Sequence, residues 1–199
     1  EPDVLALRLA RRRAMLATVM LAQGTPMLQM GDELGRSQGG NNNAYCQDNT
    51  ISWMRWREIS RDDASLVPFI AGLARLRRAH PALRRERFLH GDPALDGLPD
   101  VLWLRLDGTP MAAADWADPT RRALVLRLGP LNGDEQPLLL VLNAGADALP
   151  LRLPDGLWRV LLDTAAAEPF APRQLVGSTT IPAITVWLLA LGRGRGVEH

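Results

Sequence analysis

The feature that most limits how this chain can fold is a change of pattern at Pro81. Beyond it, residues 102–106, 123–128, 138–142, 157–162 and 185–189 form five short apolar runs rich in Leu, Val and Trp, separated by Pro, Gly, Asn and Asp. Short apolar runs broken by turn residues predict an antiparallel β-sandwich or barrel. Before Pro81 the pattern is helical. Residues 4–23 are rich in Leu, Ala, Met and Arg and contain no Pro or Gly, so they predict a helix that stops at Gly24. Its apolar residues Leu5, Leu9, Leu16, Val19 and Met20 are too many for a narrow stripe, which implies burial against something large, not necessarily within this chain. A second helix is expected over 64–80, capped by Asp62 and Asp63 and stopped at His80-Pro81, with Leu66, Ile70, Leu73, Leu76 and Arg77 in register. Between the helices, residues 25–30 read as a buried parallel strand opened by Pro26 and ended by Gly31. The expected boundary between the two parts lies near residue 85.

Composition removes several functions. All 23 basic residues are Arg, so Schiff-base chemistry, a P-loop lysine and a pyridoxal site are excluded. A formal net charge of +1 without a basic stripe argues against nucleic acid. The start of the chain lacks a basic segment followed by an apolar core, and no run reaches roughly 18 uncharged apolar residues, so neither a signal peptide nor a membrane span is expected. The lone Cys46 allows no intramolecular disulfide, and a cytoplasmic setting fits. His80, His90 and His199 are too scattered for a metal site or a triad, and neither metal nor cofactor is expected. The final residues 196–199 read as the remnant of an expression tag.

The irregular stretch 32–49, GDELGRSQGGNNNAYCQDN with its leading Gly31, is the most informative. Long loops of this kind in compact domains usually carry function. Asp32, Glu33 and Arg36 follow the predicted strand, where α/β proteins place ligand contacts; by themselves a turn or an Arg36 ion pair is the commoner explanation. Adjacent carboxylates do not face each other across one bond, so Asp32 and Glu33 make a poor acid and nucleophile pair. Asn41-Asn42-Asn43-Ala44-Tyr45 offers amides and an aromatic face suited to a polyhydroxylated ligand, or simply a tight loop that uses Asn for left-handed backbone. Trp53 and Trp56, three apart, are either a sugar platform or helix-packing aromatics. Of the tryptophans downstream, Trp103 and Trp158 sit among Leu and Val and are expected in the core, whereas Trp116, in the polar run Ala114-Asp115-Trp116-Ala117-Asp118, is expected at the surface.

Residues 21–56, and above all GDE followed by GNNNAYCQDN, resemble the bacterial glycogen-operon debranching enzymes and their isoamylase-like relatives in the α-amylase superfamily, glycoside hydrolase family 13. The likeness continues through LRRAHPAL and Ala114-Asp115-Trp116 into the β-rich tail. It implies an α+β fragment, the last α/β elements of a (β/α)8 barrel followed by an all-β antiparallel C-terminal sandwich. Residues 1–84 would be the seventh helix, eighth strand, long loop and eighth helix, and residues 85–195 the sandwich. It also implies a retaining hydrolase of α-1,6 branch linkages in glycogen or limit dextrin. The family's catalytic Asp, Glu and Asp follow earlier strands, so this chain holds no catalytic residue and is expected to be inactive alone. Glu33, Arg36, Asn42, Asn43 and Tyr45 are implied to line the cleft rim for branched α-glucan. Two other readings stay open: a carbohydrate-binding module, and a structural cap that mediates oligomer contacts. A part-barrel with an unpaired strand edge predicts self-association.

Overall fold

The computed structural model describes residues 2–192. The tag reading of 196–199 lies outside them.

Each of the five apolar runs becomes a strand: β1 (Val101–Leu104), β2 (Ala123–Leu128), β3 (Leu138–Asn143), β5 (Trp158–Asp163) and β8 (Thr185–Leu191). Three further strands, β4 (Leu149–Arg152), β6 (Arg173–Leu175) and β7 (Ser178–Ile181), have no apolar run to announce them. All pairings are antiparallel, in a six-stranded sheet ordered β1-β2-β3-β8-β5-β6 and a two-stranded sheet β4-β7.

The six-stranded sheet is covered on both faces. On one face, Leu138 and Leu140 of β3 and Val186 and Leu188 of β8 pack with Leu16, Ala17, Met20 and Leu21 of α1 (Pro2–Leu21) and with Leu66, Phe69 and Leu73 of α3 (Leu66–Ala79). On the other, Leu139, Val141, Trp187 and Leu189 pack with Leu151 and Ile181 from the small sheet. Side chains alternate between faces along a strand, so a strand buried on both sides needs an unbroken apolar run, as in Leu138–Val141. β5 carries a bulge between Val160 and Leu162. The extra residue sends Val160 and Leu162 to opposite cores, although residues two apart normally share a face. The helical part and the sheet part thus share one core across residue 85.

Two expectations change. Residues 25–30 form neither strand nor helix, and Met27 is 86% and Met30 70% exposed. A strand exists only against a partner's hydrogen-bonding edge, and none of the described strands lies beside this segment. The cap ahead of the second helix is Ser60, whose Oγ accepts the Asp63 N–H at 3.1 Å. The short α2 (Arg61–Ala64) follows it and gives way to α3 at Ser65.

Arg77, in register with the apolar face of α3, is buried. Its guanidinium donates to the carbonyls of Met20 (3.0 Å) and Ala22 (2.6 Å) and also to that of Gly24. Those carbonyls lie at and just past the end of α1, where helix geometry leaves acceptors without partners and the macrodipole favours a cation. Desolvation, and then the nearby Arg84, lower the Arg77 pKa from the ordinary guanidinium range. This side chain joins the two long helices and sets where the chain leaves α1 for the loop.

Candidate functional site

The loop after Met30 is shaped by its own polar groups. Gly31 (φ 97°) and Gly35 (φ 66°) have left-handed backbone. A Cβ at Gly31 would come within 2.9 Å of Arg36, and one at Gly35 within 2.1 Å of the Asp63 carboxylate. Asp63 is held in turn by an ion pair with Arg12 of α1 and by the Ser60 hydroxyl at 2.7 Å. The loop is therefore fastened to both helices.

The carboxylates expected near a ligand are occupied locally. Asp32 accepts the Gln29 N–H (3.1 Å) and Glu33 the Gly31 N–H (2.9 Å). Arg36 donates to the Ser52 carbonyl at 3.0 Å and forms no ion pair with either carboxylate, which removes that explanation for it. The asparagine-rich segment divides by role. The Asn41 side chain accepts from the Asn43 N–H (2.9 Å), that of Asn43 from the Tyr45 N–H (3.4 Å) and that of Asn49 from the Ile51 N–H (2.9 Å). These are Asx turns, in which a side chain replaces a backbone acceptor. The exposed amide of Asn42 has no such bond among the described residues. Tyr45 is 97% exposed. Trp53 lies on the loop and Trp56 at the start of a short 3-10 turn, so the two do not stand on one helix. Both are exposed, and the Trp53 indole N–H donates to Asp48 at 2.7 Å. Cys46 is an exposed loop thiol.

A cavity of about 180 Å³ lies between this loop and α2. Arg36, Ser37, Trp53, Arg55, Glu58 and Asp63 supply its polar and aromatic wall. Of the five residues implied by the resemblance, only Arg36 lines it; Glu33, Asn42, Asn43 and Tyr45 lie outside. Trp53, Arg55 and Glu58 join it because the chain folds back after Asn49, and no local spacing encodes that return. The set can donate and accept hydrogen bonds beside the Trp53 ring, which suits hydroxyl-rich ligands. Its two carboxylates, Glu58 and Asp63, are each ion-paired, with Arg55 and with Arg12.

No protein-family model matches the chain. It is 41% identical over 161 residues to the glycogen debranching enzyme of Pectobacterium carotovorum, covering 80% of this chain and 22% of that one. By sequence, the chain is a relative of the bacterial glycogen debranching enzymes. It is also 46% identical over 118 residues to the glycogen operon protein GlgX homolog of Mycobacterium tuberculosis, covering 58% of this chain and 16% of that one. The chain thus spans about a fifth of the length of these debranching-enzyme relatives. Among solved structures, pullulanase type I from Bacillus subtilis, complexed with maltose, superposes with a TM-score of 0.67 at 25% identity over 93% of this chain and 24% of that one. Pullulanase from Bacillus acidopullulyticus shares the fold, with a TM-score of 0.65 at 19% identity over 92% of this chain and 20% of its own. The α+β arrangement with a mostly antiparallel sheet is therefore one that pullulanases also contain.

Proposed function

We propose that this chain is the C-terminal portion of a cytoplasmic glycogen debranching enzyme that hydrolyses α-1,6 branch linkages in glycogen and limit dextrin with retention of configuration. The observation that carries the reading is the 41% identity to a glycogen debranching enzyme over four-fifths of the chain. Residues 1–84 form the end of the catalytic barrel and residues 85–195 its C-terminal sandwich. The catalytic carboxylates come from elsewhere in the longer protein. Glu33, Arg36, Asn42, Asn43 and Tyr45 stand on the rim of the cleft and help to hold the branched glucan there. Glu33 acts by closing the turn at Gly31, and Asn43 by closing the turn that presents Tyr45.

The apolar exposure of α1 and its following segment supports a missing neighbour: Leu5 is 56%, Met15 69%, Met27 86% and Met30 70% exposed. In the longer protein the barrel covers this surface. Alone, the chain uses it to self-associate, which size exclusion with dye binding measures; a dilute monomer that binds no apolar dye would contradict this. No helix among the described residues is long and apolar enough to cross a membrane.

The deciding assay follows reducing ends released from limit dextrin. The complete open reading frame containing this segment is expected to release them, and the 199-residue chain to release none. Release by the chain alone, or none by the complete protein, would overturn the proposal.

A further inference from the structure

We propose a second glucan-binding site, outside the cleft, in which Trp116 is the stacking platform for a pyranose ring of an α-glucan chain. Trp158 and Trp187 are buried in the sheet and Trp103 is half-buried, but Trp116 is 54% exposed. It ends the short helix α4 (Ala113–Trp116), on the connection between β1 and β2. Its ring meets that of Trp103 edge to face, with centroids 5.2 Å apart and an interplanar angle of 81°. In an edge-to-face pair, one partner can cover no more than one face of the other, so Trp103 does not sandwich Trp116, more than half of which stays exposed.

The mount is rigid. Asp115, next to Trp116, accepts from Arg105 Nε (2.8 Å), Arg121 Nη2 (2.5 Å) and the Ala112 N–H (2.7 Å). The flanking turns are closed in the same way, by Asp107 on Thr109 and by Asp118 on Thr120. A platform fixed before binding loses little freedom when a sugar docks.

Donors are held on the neighbouring Asp115. Arg105 gives only its Nε to Asp115, and Arg121 gives Nε and Nη2 to the same residue. The two Nη groups of Arg105 and the Nη1 of Arg121 have no protein acceptor among the described residues. An exposed indole, with guanidinium N–H groups held on the adjoining Asp115, offers an apolar surface and hydrogen-bond donors of the kind that a glucose ring's apolar face and hydroxyl edge require. The choice of a glucan as ligand rests on the proposed debranching function.

The test is retardation of the 199-residue chain in native gels containing glycogen, with maltoheptaose titrated by calorimetry. Binding is expected, with Trp116→Ala weakening it about tenfold and Trp116→Phe retaining most of it. In wild-type chain, maltoheptaose is expected to shift the Trp116 indole N–H resonance, assigned with Trp116→Phe, so the test survives if the Ala variant does not fold. No retardation, or retardation unchanged by Trp116→Ala with a still indole signal, overturns the site. Debranching by the unsubstituted complete protein is scored separately, so a failed platform and a failed enzymatic reading give different results.

Discussion

The six-stranded sheet and the loop between the helices solve the same problem in opposite ways. In the sheet, backbone groups pair along strand ladders, and the side chains are left free to pack two cores. In the loop, backbone groups are satisfied by Asn41, Asn43, Asn49, Asp32, Glu33 and Arg36, so polar side chains do the work of a ladder. The sheet is thereby self-contained. The loop leaves Tyr45, Trp53 and Trp56 facing outward, and the segment before it leaves Met27 and Met30 uncovered. Surfaces of the second kind are where ligands or neighbouring segments bind.

Substitutions can break or sharpen that contrast. The largest loss is expected for Leu188→Ala, because Leu188 is fully buried on β8, between β3 and β5. Urea unfolding should show a loss of about 3–4 kcal/mol, and a loss under 1 would mean that the sheet core is loosely packed. Arg77→Met should lose about 2–3 kcal/mol in the same measurement, because it leaves the Met20, Ala22 and Gly24 carbonyls without their shared donor. A neutral result would show that water replaces the guanidinium there. Gly35→Ala should lose about 1–2 kcal/mol, from left-handed backbone and the contact with Asp63, and should also free the loop to limited proteolysis. Met27→Ser should change the stability of this chain by less than about 0.5 kcal/mol. A large effect there would show that the segment is packed in solution.

Acid sharpens the comparison further. Burial lowers the His80 pKa below its usual 6.5, against the raising effect of Glu135 and with the lowering effect of Arg159. A depressed histidine binds fewer protons in the folded than in the unfolded state just below pH 6.5. Stability is therefore complete above that pH and falls as pH drops through it. Unfolding midpoints between about pH 7.5 and 5.5 should show the fall, and His80→Gln should flatten it. Asp107, Asp115 and Asp118 are held below the usual carboxylate range, chiefly by hydrogen bonds from Thr109, Ala112 and Thr120. Their contribution is present above about pH 3.9 and is lost at more acid pH, so the two effects separate along the titration.

The five apolar runs, both long helices and the inward register of Arg77 were legible in the sequence, although α1 ends at Leu21, three residues short of the expected stop at Gly24. Each depends on residues close together along the chain, through periodicity, caps or turn chemistry. So was the surface position of Trp116, from its polar neighbours. What only the tertiary structure decided depends on distant partners. β4, β6 and β7 are short strands with mixed or polar composition, and they exist because another strand offers them an edge. The bulge in β5 redirects Leu162 to the other core, which no alternation rule within that run could foretell. Residues 25–30 have the composition of a buried strand but no neighbouring ladder, so their apolar side chains remain exposed. In the loop, the sequence marked which residue types gather, whereas hydrogen bonding across the fold decided which of them close turns and which stay free. Local preference acts within a few residues, but pairing and burial are settled only when distant segments meet.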